Sequence, residues 1–126
     1  MAYLIVFLGA GIGGSLRHFV NVLAMRLGEP TYVGTAFINI TGSLLIGATV
    51  EYFALKSHLP RRWLMFITTG IMGGYTTFST FSLETVLLVE RSQYLTAFAY
   101  VLGSFVLSIG ATFSAFWILR NLLNGS

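Results

Sequence analysis

The sequence predicts an all-α integral membrane protein with four transmembrane helices, and three observations carry the prediction. Only 9% of the 126 residues are charged and 56% are hydrophobic, whereas soluble domains carry roughly 25% charged residues. Mean hydropathy is +0.82. Long runs contain no Asp, Glu, Lys or Arg: residues 30–50 and 63–83 are 21 residues each, and 92–119 is 28. About 20 apolar residues cross the hydrocarbon of a bilayer as a helix. Adding the first stretch, Tyr3 to Met25, interrupted only by Arg17, gives spans at roughly 3–25, 32–55, 63–89 and 95–119.

Little is left between the spans. The connections near Arg26–Thr31, Lys56–Arg62 and Glu90–Tyr94 are too short for a soluble domain, so residues 1–126 read as a single transmembrane domain. The absence of cysteine removes disulfide and thiolate chemistry. The N-terminus has no basic n-region and no Ala-x-Ala site, so the first span reads as a resident helix. The net charge of +3 sits at helix ends, which suits lipid headgroups and not nucleic acid. Lys56, Arg61, Arg62 and Arg120 fall at one membrane face; Arg26 and Arg91, with Arg17 if it snorkels, fall at the other. Such a weak positive-inside bias allows one orientation with the Lys56–Arg62 loop cytoplasmic, and also allows insertion both ways as an antiparallel pair. Four helices rarely enclose a polar path, so at least a dimer is expected.

The first span carries Gly9-x-x-x-Gly13, a small-residue spacing that lets helices approach closely. Arg17 lies eight residues before its end and either snorkels to the interface or needs a partner or aqueous vestibule. His18 beside it has no assigned role. The second span places Asn39 and Ser43 on one face, four residues apart. An asparagine amide donates two hydrogen bonds and can solvate an anion, or it can clamp a neighbouring helix. Glu51, near the end of that span, is expected at the interface.

The third span starts at Trp63, an aromatic anchor. Gly70, Gly73 and Gly74 lower helix propensity where the midplane should fall, and the hydroxyls of Thr76 and Thr77 compete for backbone bonds. A helix broken at its midplane is expected here, since discontinuous helices recur where ions cross. Phe78 and Phe81 share one side and border a stripe of Thr77, Thr80 and Glu84; lipid-facing or core packing is their plain alternative role. In the fourth span Tyr100, Ser104, Ser108 and Thr112 recur every fourth residue, a hydroxyl ladder on one face roughly 18 Å long.

Asn39, Ser43, Thr80, Ser104, Ser108 and Thr112 thus offer neutral donors beside phenylalanine ring edges. No nucleophile, base and orienting group stand together, so an enzyme is not expected. Neutral donors can replace the hydration shell of a small anion, and ring edges carry the positive side of the aromatic quadrupole. The residues themselves point to a path for a small anion.

The same residues resemble those of the Fluc/CrcB fluoride channels along essentially the whole chain. The likeness runs through Gly13-Gly14-Ser15-Leu16-Arg17, through Gly34-Thr35 and Asn39-Ile-Thr-Gly42-Ser43, and most specifically through Gly73-Gly74-Tyr-Thr76-Thr77-Phe78-Ser79-Thr80-Phe81-Ser82. Tyr100, Ser104 and Ser108 extend it into the fourth span. Ser15 and His18 stand where alanine and tyrosine are common, and Tyr75 fills a position often aliphatic; it is expected to touch none of the site residues.

The resemblance implies a dual-topology antiparallel homodimer in the bacterial inner membrane, multi-pass, with two pores that passively export fluoride and exclude chloride. It implies that Phe78 and Phe81 line the pores edge-on, with Asn39, Ser79, Thr80, Ser108 and Thr112 as a hydrogen-bonding track. It further implies Glu84 at the pore's end, Arg17 supporting the vestibule, and a structural sodium ion at the dimer axis held by the main-chain carbonyls of Gly73 and Thr76. Two other classes compete. A proton-coupled exporter of the small multidrug resistance type needs a glutamate in its first helix, where this chain has only Arg17. A membrane scaffold explains the glycines but not the hydroxyl ladder.

Overall fold

A computed structural model describes residues 1–125, and every element among them is helical. The order is α1 (Ala2–Arg26), α2 (Thr31–Leu55), α3 (Arg61–Met65), a π-helical turn (Phe66–Met72), α4 (Gly73–Tyr75), α5 (Phe78–Glu90) and α6 (Tyr94–Asn124). Three helices, α1, α2 and α6, are each long and apolar enough to cross a membrane. The segment between α2 and α6 runs through four shorter helical pieces.

Local chemistry sets the ends. Pro30 and Pro60 stand immediately before α2 and α3; proline has no N–H to give and disfavours helix in the residue before it. After α1 the chain turns at Gly28, whose φ is +78°. Gly28 N–H bonds back to Met25 O and Glu29 N–H to Ala24 O, both at 3.0 Å, the paired bonds of a Schellman ending that a left-handed glycine allows. Ser92 closes α5 in the same way at φ 59°, with its N–H on Val89 O and that of Gln93 on Leu88 O.

In lipid no hydrophobic force drives one apolar helix onto another, so close approach and polar clamps hold the bundle. On α1 the Gly9/Gly13 pair supplies the approach. A Cβ added at Gly9 would stand 2.7 Å from the Phe66 carbonyl oxygen and 2.8 Å from Gly70 Cα. One added at Gly13 would overlap the Ile71 carbonyl. α2 and α6 form the most extensive helix pair, tied midway by Thr112 Oγ1 donating to Ser43 O at 2.9 Å. Near their ends Arg120 donates to Glu51, Nε to Oε1 at 2.5 Å. Glu51 is buried within the protein, and α6 continues past 119 to Asn124.

The glycines of the third segment do not sit where the helix stops. Gly70, Gly73 and Gly74 are all helical, and Gly74 lies against Ala10 of α1 too closely for any side chain. The extended residues are Thr76 (ψ 158°) and Thr77 (φ −150°, ψ 122°). Gly70 and Gly74 thus serve packing, and the hydroxyl residues that follow carry the interruption.

Candidate functional site

The interruption is held open by side chains. In an unbroken helix Thr77 N–H would bond to the carbonyl of Gly73. It bonds instead to Asn39 Oδ1 at 2.9 Å, while Asn39 Nδ2 donates to Thr77 O at 2.9 Å. Asn39 therefore clamps, and its target is backbone. One of its two amide hydrogens is left over. Thr77 also caps α5, accepting the Thr80 N–H at 3.2 Å and donating to Thr80 Oγ1 at 3.1 Å, with Ser79 Oγ 3.3 Å away. Arg17 reaches across from α1 and donates from Nη1 to Thr76 O at 3.3 Å. Of the alternatives open for Arg17, a partner inside the bundle is the one observed.

Against this interruption lies an open groove of about 360 Å³. Its walls include Asn39, Ser43, Gly73, Thr76, Thr77, Phe78, Phe81, Ser104, Phe105 and Ser108. The structure thus brings Asn39, Phe78, Phe81, Ser104, Ser108, Gly73 and Thr76 together on one surface. Phe78 and Phe81 have ring centroids 5.5 Å apart, at an interplanar angle of 43°. Phe81 is buried, stacked at a tilt on Tyr100 (5.0 Å) and edge-on with Phe105 (5.9 Å, 83°). Phe78 is 70% exposed.

The ladder on α6 divides by partner. Tyr100 OH donates to Glu84 Oε2 at 2.9 Å, and Thr35 Oγ1 donates to Glu84 Oε1 at 2.8 Å. All three residues are buried, so Glu84 is a carboxyl enclosed by two hydroxyl donors and is not on the groove wall. Thr112 uses its proton on Ser43 O. Ser104 differs: the residue belongs to the groove wall, and its Oγ is buried with no hydrogen-bond partner among the described residues. A buried hydroxyl left unpaired costs about 1–3 kcal/mol, so such an atom calls for a ligand or water.

Two residues matter more to the site than their local sequence shows. Thr77 is clamp target, helix cap and groove wall at once; its signal was a threonine three residues before a second threonine at a helix start. Thr35 holds Glu84, and no local spacing pairs residues 49 positions apart. Tyr75, which adjoins the interruption and was expected to touch none of the site residues, is buried with its hydroxyl 2.9 Å from Thr41 Oγ1. Among the described residues no cluster of His, Asp or Glu could hold a metal ion.

Fold and site together define a multi-pass α-helical membrane protein with a mainly apolar groove, edged by a few hydroxyl and amide groups, beside an interrupted helix. The family model for "CrcB-like protein, Camphor Resistance (CrcB)" matches residues 4–116, and the chain belongs to that family. It is 57% identical to the "Fluoride-specific ion channel FluC" of Granulibacter bethesdensis, with 99% of each chain covered. Proteins of the same printed name from Methylobacterium nodulans and Rhodopseudomonas palustris are 50% and 46% identical. The alignments cover 93% and 95% of this chain and 94% and 98% of theirs. The chain is a multi-pass protein of the bacterial inner membrane.

Proposed function

We propose that this protein is a fluoride-selective channel, not an enzyme, that lets fluoride leave the cytoplasm passively. The observation that carries the reading is Ser104: a buried hydroxyl without a partner, on a residue of the groove wall that Phe78 and Phe81 also line. Fluoride is small and accepts hydrogen bonds strongly, so a neutral O–H donor and aromatic ring edges can stand in for its water shell. The relatives' names supply the identity of the ion. α1 contains no carboxylate, so the proton-coupled exporter lacks its central group.

The working unit is an antiparallel, dual-topology homodimer with two pores. A groove open along one side and an exposed Phe78 leave a path through one protomer only partly enclosed, and a second copy covers it. Thr76 and Thr77 lie at the bilayer midplane, where irregular backbone survives only when protein or a cavity covers it. Within each pore Asn39, Ser79, Thr80, Ser104 and Ser108 form the donor track, with Thr112, Tyr100 and Glu84 supporting it. Arg17 holds the vestibule side of the interruption.

A structural sodium ion fits the oxygen atoms available. The Gly73 carbonyl loses its helical donor to Asn39, and the extended Thr76 turns its carbonyl out of helical register, with Arg17 on one of its lone pairs. Both are neutral oxygens of the kind hard cations take; two per chain leave a shell incomplete, and a second copy doubles them. When bound, the ion would supply a cation–carbonyl tie between the two interruptions.

The test is efflux from liposomes holding the reconstituted protein. Fluoride should leave without a proton gradient, and chloride should stay. Turnover that depends on a proton gradient would favour an exporter, and release of both halides would remove the selectivity.

A further inference from the structure

We propose that Tyr75 is a positioning residue for fluoride passage, acting through Thr41 to hold the Thr76 carbonyl in place; the idea rests on the channel reading above. Tyr75 is 7% exposed, and its hydroxyl lies 2.9 Å from Thr41 Oγ1. The direction of that bond follows from Thr41's other contacts. Its single hydroxyl proton points to carbonyls of its own helix, Phe37 O at 2.7 Å and Ile38 O at 3.2 Å. The hydroxyl therefore accepts, and Tyr75 O–H donates.

That bond makes a pair with the Asn39 clamp. Around α2, at 100° per residue, Asn39 and Thr41 lie on opposite flanks of Gly42. Over Gly42 sits the interruption: a Cβ there would be 3.3 Å from Tyr75 Cδ1 and would overlap Thr76 Cγ2. The chain thus straddles α2. It is tied before the break by Tyr75 to Thr41 and after it by Thr77 to Asn39. Thr76 lies between the ties, and its carbonyl receives Arg17 at 3.3 Å. On the α1 side the Tyr75 amide nitrogen would stand 2.8 Å from a Cβ at Gly13, so the backbone has no room to retreat that way. Asn39 alone fixes the downstream peptide; turning Thr76 about its own φ and ψ is opposed by the upstream tie.

The experiment compares Tyr75→Phe, Thr41→Val, Thr41→Ser and the Tyr75→Phe/Thr41→Val double variant. Fluoride efflux from liposomes is measured per reconstituted protein, beside thermal unfolding in detergent. Tyr75→Phe and Thr41→Val should each slow efflux about three- to tenfold, the scale of one hydrogen bond. The double variant should be no slower than the slower single, and Thr41→Ser should match the unaltered protein. Unchanged efflux in Tyr75→Phe, losses that multiply in the double variant, or a fall in unfolding temperature with efflux unaltered would overturn the positioning role. No fluoride release from the unaltered protein would sink the channel reading and this role with it. Release at the unaltered rate in Tyr75→Phe sinks this role alone.

Discussion

Asn39 and Thr77 form a closed pair in which one side-chain amide satisfies both backbone groups of a single residue, each bond 2.9 Å long. The geometry mimics the pairing of two strands, and it occurs here inside a helical membrane protein. It explains how the helix can stop between Tyr75 and Phe78. The Thr77 N–H and C=O that leave the helical ladder are met at once, so the interruption carries no unpaired donor on that residue.

Removing that amide should therefore be costly twice over. Asn39→Ala leaves the N–H and C=O of Thr77, itself buried, without partners. A loss of about 2 kcal/mol or more is expected, read as a lower unfolding temperature in detergent. Fluoride efflux should fall with it. Asn39→Asp keeps an acceptor for the Thr77 N–H but turns a carboxylate oxygen toward Thr77 O, and should abolish efflux. Wild-type stability in Asn39→Ala would show that water replaces the clamp without penalty.

Phe78 and Phe81 sit side by side but in unlike surroundings, and their replacement separates packing from permeation. Phe81 touches Tyr100 and Phe105 and is 8% exposed, whereas Phe78 is 70% exposed. Phe81→Ile should lower stability by about 2 kcal/mol through the space it leaves. Phe78→Ile removes less packing within the protomer and should lower stability by less than Phe81→Ile does. Both should impair fluoride efflux while leaving the dimer intact on size-exclusion chromatography. Normal efflux in Phe78→Ile would remove the ring-edge argument.

Ser104 offers a cleaner test, because its hydroxyl has no hydrogen-bond partner among the described residues. Ser104→Ala deletes an unpaired buried polar atom, so stability should hold within about 0.5 kcal/mol or rise. If the hydroxyl donates to a passing anion, efflux should drop by about ten- to a hundredfold, the worth of one hydrogen bond to a charged group. Efflux at the wild-type rate would return Ser104 to helix packing and take away the observation on which the channel reading leans.

The apolar spans were legible because lipid imposes a length and forbids charge, and both show in composition. So was the α1 contact, since Gly9 and Gly13 have no other use at that spacing. The interruption was legible only as a neighbourhood. Glycines flagged it, yet Gly74 serves the approach to Ala10, and the break lies at Thr76 and Thr77. The placement depends on Asn39, 38 residues away. The π-helical turn at Phe66–Met72 left no mark in composition at all. In the α6 ladder the register was visible, but which hydroxyls are spoken for was not. Tyr100 and Thr112 have partners on other helices, and Ser104 does not. Pattern gives a face, whereas pairing comes from tertiary contact.

Orientation in the membrane follows from charges that the fold partly redistributes. At one end of the bundle stand Lys56, Arg61 and Arg62, all exposed, and at the other Arg26 and Arg91, also exposed. Arg120 belongs to the first end, but Glu51 holds it by a 2.5 Å ion pair and it lies over the Phe116 ring at 5.4 Å. Arg17, the remaining cation, is committed to Thr76 O. Freely exposed basic residues are thus three against two, too close to fix one orientation. The chain has no cysteine, so single introduced thiols report without background. His58→Cys and Glu29→Cys place one at each end, in exposed connections. In intact cells a membrane-impermeant maleimide should label about half the molecules of each variant, as mixed insertion requires, and permeabilised cells should label fully. Complete labelling of one variant with none of the other would establish a single orientation, and the antiparallel dimer would fall.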